Sequence, residues 1–275
     1  ADVGAVITVE VSYTDEFGHT ESVDSSATSA VTNVNDSPTG GVTITGTATE
    51  DEVLTADTST LADEDGLGSL SYQWSRDGSP IDGATASTYT LEQADVGAAI
   101  TVKVSYTDGE GTSESVTSSA TPLVVNVNDG PTGMVTISGT ATQGEKLTAS
   151  NNLDDEDGMT TSTVSYQWKR DAVSIDGATS STYTLSQIDV GTVITVTAIY
   201  VDDFGEDESV DSSRTVAVTN VNDSPTGGVT ITGTATEDEV LAADTSALAD
   251  ADGLGALSYQ WSRSGSPIDG ATAST

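Results

Sequence analysis

The sequence has no cysteine, which excludes a disulfide framework, a thiolate metal site and a thiol nucleophile. Histidine occurs once, as His19, so the commonest general base is missing from nearly the whole chain. Positive charge is scarce: 7 Lys+Arg face 44 Asp+Glu, for a formal net charge of -37. That balance excludes nucleic acid as a partner, because phosphate binding needs clustered Lys and Arg. It equally disfavours docking on an anionic membrane. No run approaches the ~20 apolar residues of a membrane span. The opening ADVGAVITVE has no basic signal-peptide start, so export and anchoring are expected to be encoded elsewhere. Aromatics are 5% and hydrophobic residues 35% of 275 residues, lean but enough for two or three small cores.

Charge this one-sided is typical of disorder, but the distribution says otherwise. The 3 Trp, the 8 Tyr and the many Val, Ile and Thr lie in alternating runs. In AITVKVSYTD (99–108), Ile100, Val102, Val104 and Tyr106 share one face, and Thr101, Lys103 and Ser105 the other. VTITGTA (42–48), EVLTADT (52–58) and LSYQWSR (70–76) alternate in the same way. Strands at 8–15-residue spacing, separated by Gly, Asp, Asn and Pro, predict a β-sandwich with almost no helix.

Internal repetition is the strongest signal. NVNDSPTG at 33–40 returns as NVNDGPTG at 126–133 and NVNDSPTG at 220–227. Tyr-Gln-Trp recurs at 72–74, 166–168 and 259–261, and Asp-Val-Gly at 2–4, 95–97 and 189–191. A period of about 94 residues divides the chain into 1–36, the C-terminal part of a repeat; 37–129 and 130–223, complete repeats; and 224–275, the N-terminal part of another. GATAST closes the sequence at 270–275, and in the first complete repeat the same string precedes YTLEQ and then ADVG, the opening string. Two readings follow: a window on a longer tandem array, or strand donation between chain ends in a head-to-tail filament.

A Trp in the third strand (Trp74, Trp168, Trp261), with Asp-x-Gly before a later strand, resembles the immunoglobulin-like sandwich, without its core cysteine pair. Asn-Val-Asn-Asp-Ser-Pro resembles the linker of cadherin and bacterial cadherin-like repeats, whose Asp binds calcium between domains. Together, GTATEDEVLTA, YQWSRDG, IDGATASTYTL, ADVG and SYTD look like the tandem repeats of giant Gram-negative surface adhesins of the RTX-type, biofilm-associated kind. The resemblance covers the whole chain. It implies an all-β fold of tandem Ig-like (cadherin-like) sandwiches in a linear rod, outside the cell on a bacterial surface or in a secreted matrix.

In that topology the B–C and F–G loops of one repeat meet the A–B and E–F loops of the preceding one across a short linker. The first seam then gathers Asn33, Asp36, Asp63, Asp65 and Asp108. The second gathers Asn126, Asn128, Asp129, Asp154, Asp155, Asp157, Asp202 and Asp203, with Glu50, Asp51 and Glu52 offered by the A–B loop and Asp95 by the E–F loop of the preceding repeat. The third gathers Asn220, Asp223, Asp250 and Asp252, with Glu145 and Asp189 from below. Two carboxylates ~4 Å apart repel by about 1 kcal/mol in water and about 4 at an effective dielectric of 20. A hard divalent cation removes that cost, and oxygen-only ligand sets point to Ca²⁺ rather than zinc or copper. A lone Asp-x-Asp-Gly is more often a turn than a ligand; three at one phase beside Asn-Asp linkers favour calcium.

Trp74, Trp168 and Trp261 are expected in cores rather than as sugar platforms, and Tyr13, Tyr106 and Tyr200 as core or corner residues. His19 has no matching partner in the other copies. The expected function is a non-catalytic structural extender, a stalk or filament of an adhesin or matrix protein rigidified by calcium. The alternatives are a ligand- or glycan-binding module mediating adhesion directly and a filament assembled by strand donation. Expected partners are neighbouring repeats, other copies head-to-tail and an unknown surface or matrix target, without membrane insertion. Catalysis is not expected, because the acids recur in every repeat with no nucleophile beside them.

Overall fold

The computed structural model describes residues 2–275. It forms two compact units, the first ending at Asn128 and the second running Asp129–Thr275. The division falls inside the string NVND at 126–129.

In the first unit a hairpin of β1 (Glu10–Thr14) and β2 (Thr20–Asp24) precedes a complete sandwich. The sandwich has β3 (Thr43–Thr45), β4 (Val53–Asp57), β5 (Ser71–Arg76), β6 (Ser79–Pro80), β7 (Thr88–Thr90), β8 (Ile100–Thr107) and β9 (Ser113–Thr117). One sheet has the order β3-β4-β7 and the other β6-β5-β8-β9. All of these pairings are antiparallel. This is the two-sheet arrangement of an Ig-like sandwich.

The period-2 pattern explains the core. Ile100, Val102 and Val104 of β8 are fully buried, and Tyr106 nearly so. They meet Leu54 and Ala56 from the opposite sheet around Trp74. Fully burying one such aliphatic side chain stabilises by roughly 1.5–3 kcal/mol. Trp74 is fully buried, donates its indole N–H to the Ala86 carbonyl at 2.9 Å and stacks on Tyr89. The β5–β6 hairpin turns at Asp77 and Gly78, both at positive φ (44° and 80°), as a two-residue turn of the favoured hand requires.

The second unit repeats the plan. It has β10 (Val135–Ser138), β11 (Lys146–Asn151), β12 (Ser165–Arg170), β13 (Val173–Ser174), β14 (Thr182–Thr184), β15 (Ile194–Val201) and β16 (Asp207–Asp211). Its sheets have the orders β10-β11-β14 and β13-β12-β15-β16, around the fully buried Trp168. Residues 224–275 carry two hairpins, β17 (Thr230–Thr232) with β18 (Ala242–Asp244) and β19 (Ser262–Arg263) with β20 (Ser266–Pro267). Trp261 is half-buried there.

Among the described residues the only helices are two single 3₁₀ turns, Gln93–Asp95 and Gln187–Asp189. No described helix is long and apolar enough to cross a membrane. Tyr106 and Tyr200 are core tyrosines as expected, but Tyr13 is half-exposed and bonds Glu21 instead.

After the G strand, each complete repeat ends in an extended segment. Val124 makes a parallel bridge to Val96 and Val125 one to Thr49, while Val218 and Thr219 bridge Val190 and Thr142. The chain therefore leaves each sandwich between its A–B and E–F turns. That exit directs each linker.

Candidate metal centre

Each linker is fastened to the repeat that follows it by one arrangement. Asp36, Asp129 and Asp223 donate their backbone N–H to the Oδ2 of Asp65, Asp157 and Asp252, at 2.8, 2.7 and 2.7 Å. The B–C loop holds that acceptor in place with its own Asx turn. Asp63, Asp155 and Asp250 accept the N–H of Asp65, Asp157 and Asp252 on Oδ1 at 2.9, 3.0 and 2.9 Å. The following glycines sit at φ 96°, 87° and 92°, the left-handed conformation that closes the turn. Further along the linker motif, a Cβ on Gly40 or Gly227 would stand 1.8 or 1.7 Å from a B–C loop carbonyl oxygen, so only glycine fits there.

The F–G loop adds a third acid. Asp202 Oδ1 accepts the backbone N–H groups of Phe204, Gly205 and Glu206 at 2.8, 2.5 and 2.9 Å, so the loop curls around its own carboxylate. Asp108 does the same for Glu110 and Thr112. The F–G loop is also tied to the B–C loop, through Asp203 N–H to Gly158 O at 3.1 Å and Gly109 N–H to Asp65 O at 2.9 Å. Below, Tyr200 donates its hydroxyl to Asp155 Oδ2, and Tyr106 donates to Asp63 Oδ2 at 2.6 Å. Burial, then the bond to the neighbouring carboxylate, holds both phenols well above their ordinary value.

The result in the second unit is three carboxylates out of solvent: Asp155, Asp157 and Asp202 are 7%, 2% and 3% exposed. Asp202 Oδ2 is buried without a hydrogen-bond partner, and so is Asp108 Oδ2 in the first unit. A buried carboxylate oxygen left unmatched costs about 1–3 kcal/mol or more. No described Lys, Arg or His forms an ion pair with any of the three. The donor set is oxygen only; the sole histidine, His19, is exposed on another loop beside Asp15. Buried, unneutralised, hard oxygen ligands fit Ca²⁺. Among these residues, Asp157 and the linker residue Asp129, whose carboxylate oxygens lie within 4.8 Å of each other, would hold it.

The remaining expected ligands are distributed differently. Asp63 and Asp65 are half-buried, and Asp108 is buried. Asn33 is half-buried and Asp36 exposed in the first linker; Asp250 is half-buried and Asp252 exposed in the third repeat junction. Asn220 is exposed in the third linker.

Four residues expected at the seams lie elsewhere. Asp95 and Asp189 are fully buried, but each is neutralised by a guanidinium: Arg76 Nε reaches Asp95 Oδ1 at 2.7 Å, and Arg170 Nη2 reaches Asp189 Oδ1 at 2.5 Å. Tyr89 and the Glu92 N–H complete the Asp95 shell, as Tyr183 and the Ser186 N–H complete that of Asp189. Burial alone would raise the Asp189 carboxyl, yet the Ser186 N–H and Arg170 bring it below the ordinary range. These acids are core anchors of the E–F turn. Glu52 and Glu145 are exposed. The A–B turn, with Asp51 or Gly144 at positive φ, carries the residue two places earlier to the linker instead. Glu50 Oε2 accepts Val127 N–H at 3.1 Å, and Gln143 Oε1 accepts Val221 N–H at 3.1 Å.

The E–F turn likewise contributes Gln93 and Gln187 rather than its aspartates. With its amide turned to suit its neighbours, Gln93 donates to both Glu50 oxygens at 2.5 and 3.0 Å. Residues two apart on a 3₁₀ turn point about 120° apart, so the glutamine leaves the face on which the acid packs against Arg.

No protein-family model matches this chain, and no curated protein matches it. Solved structures do resemble it. One comprises three N-terminal domains of the Highly Immunogenic Outer Capsid protein of bacteriophage RB49, at 17% identity over 74% of this chain and 69% of that one, TM-score 0.25. A second is a Ca²⁺-stabilized adhesin that helps an Antarctic bacterium reach out and bind ice, at 12% identity, 78% and 57% coverage and TM-score 0.31. A third is the tetra-tandem repeat in the extending region of a large adhesion protein, at 21% identity, 88% and 63% coverage and TM-score 0.26. The chain thus spans less than two thirds of the length of both adhesin structures. The Ig-like assignment stands on the sheet order described above.

Proposed function

We propose that this chain is a non-catalytic extender of an extracellular bacterial adhesin or matrix protein, whose linkers are stiffened by Ca²⁺ bound at the B–C and F–G loops. The observation that carries the reading is the buried, unneutralised trio Asp155, Asp157 and Asp202, with Asp202 Oδ2 unmatched and Asp157 fastened to linker residue Asp129. A cation held by Asp157 and Asp129 neutralises part of that buried charge and ties the B–C loop to the linker. Modules of this kind bind with Kd on the order of 10⁻⁴–10⁻³ M. At tenfold excess calcium each site adds roughly 1.4 kcal/mol to stability. Repetition supports the reading too, since length is gained by copy number. A glycan platform has less support, because Trp74 and Trp168 are fully buried.

The test is small-angle scattering with thermal melting, in calcium and in chelator. The extender reading expects a longer, stiffer particle with a higher Tm in calcium. Superimposable profiles would refute it.

A second reading, strand pairing between repeats in trans, is favoured by the apolar cleft of about 410 Å³ in 224–275. Val229, Ile231, Leu257 and Trp261 line it. In 37–129 the matching inner face is covered by β8. The segment AVITVEVSYTD at 5–15 has nearly the sequence of that strand, AAITVKVSYTD at 98–108, and its Val6, Ile7, Val9 and Val11 are exposed. Sedimentation across a concentration series tests this: growth into head-to-tail oligomers supports pairing, and a constant monomer mass excludes it.

A further inference from the structure

The A–B turns of the two complete repeats do not present the same chemistry to their linkers. The first presents Glu50, which only accepts. At the same place 93 residues later stands Gln143. Its Oε1 accepts Val221 N–H at 3.1 Å, and its Nε2 donates to the linker carboxylate, Asp223 Oδ2, at 2.8 Å. An amide thus makes the bond a carboxylate makes and adds a donor that a carboxylate lacks.

The rest of this seam, within the second unit, follows suit. Asp252 accepts Asp223 N–H at 2.7 Å. Gln187 Oε1 is buried without a hydrogen-bond partner. The linker carboxylate, Asp223, is therefore met by the Gln143 amide, and the B–C loop carboxylate, Asp252, by the linker N–H.

We propose that Gln143 makes the 220–223 seam self-sufficient, held by amide hydrogen bonds without a divalent cation, whereas a seam entered from a glutamate turn needs one. The inference deepens the calcium reading by assigning different requirements to different seams. Glutamate returns at the next A–B turn, as Glu237 in TATEDE (234–239). A chain built this way keeps some joints stiff when calcium falls and releases others.

The experiment is residue-resolved amide exchange on the full 275-residue chain, in calcium and in EGTA, with calcium stoichiometry measured by calorimetry. On chelation the Asp129 amide is expected to lose tenfold or more of its protection, while Val221 and Asp223 stay within about twofold. In Gln143→Glu, Val221 and Asp223 become calcium-dependent and the chain binds one additional ion. Equal loss at Asp129 and Asp223 in the parent chain overturns the proposal, as does full protection of Val221 in Gln143→Glu under EGTA. If the parent binds no calcium at all, the calcium reading fails. The variant still decides the role of Gln143: exposure of Val221 upholds it, and retained protection overturns it.

Discussion

Asp157 accepts the backbone N–H of Asp129 at 2.7 Å, joining the B–C loop of one repeat to the linker that enters it. The same bond recurs between Asp65 and Asp36 and between Asp252 and Asp223. A ligand bound to this loop therefore acts on the linker without touching its side chains. Asp157 is 2% exposed and Asp202 3%, so the loop is charged and dry at once. A cation changes the energy of such a place more than it changes that of a solvated surface.

Replacing Asp202 by Asn separates the cost of the charge from its use. The three N–H bonds to Oδ1 can persist, while the unmatched Oδ2 becomes a donor facing acidic neighbours. The variant is expected to be more stable than the parent by about 1–3 kcal/mol in chelator and to lose most of its calcium-induced gain. Denaturant titrations in both buffers check this. A variant destabilised in chelator and still responsive to calcium would contradict it.

Tyr106 and Tyr200 make stability fall at high pH. Their folded-state values lie above the ordinary 10.0, so the neutral phenol belongs to the folded state. The contribution is complete below pH 10 and disappears as pH rises through the folded-state value, because the unfolded chain releases its protons first. Urea midpoints at pH 8 and pH 11 are expected to lie closer together for the double variant Tyr106→Phe/Tyr200→Phe than for the parent, with Tyr89 and Tyr183 supplying the remaining difference. Parallel behaviour of the two chains would remove the Tyr–Asp bonds from the explanation.

The Arg170–Asp189 pair is structural. Arg170→Met leaves a carboxylate of 0% exposure without its cation, which is expected to cost about 3–5 kcal/mol, with partial recovery in Arg170→Met/Asp189→Asn. Asp189 lies below its ordinary value, so its contribution in the parent is present above that value and is lost as pH falls through the lower folded-state value. The acid slope should flatten in the single variant. Calcium affinity should not move, and a large drop in it would return Asp189 to the ligand set.

Glu52→Gln and Glu145→Gln are expected to leave the calcium response unchanged and stability within about 0.5 kcal/mol, because both residues are exposed. Calorimetric titration of either variant checks this. A lost calcium site in either one would mean that the A–B turn places the later glutamate, not Glu50, at the seam.

Much of this was legible in the chain. The period of about 94 residues, the Ile100/Val102/Val104 face and the core position of Trp74 and Trp168 follow from repetition and alternation. The three Asp-x-Asp-Gly copies at one phase were legible too, but as calcium ligands; that each latches a linker N–H emerges only from the structure. The lower side of each seam was not legible. Spacing cannot say which of Glu50, Asp51 and Glu52 faces a linker, because a left-handed residue in the turn reverses the direction of its neighbours. Nor does Asp95 announce that Arg76, 19 residues away, has claimed it. The signal for Gln143 was present as the one neutral residue among Glu50, Gln143 and Glu237, and it means something only once its amide is seen to bond Asp223.

The measurement closest to the central claim is anomalous diffraction from crystals of this chain grown in millimolar calcium. A peak coordinated by Asp157 and Asp129, absent after soaking in chelator, is the expected result. A well-ordered map with both carboxylates in place and no anomalous density between them would contradict it.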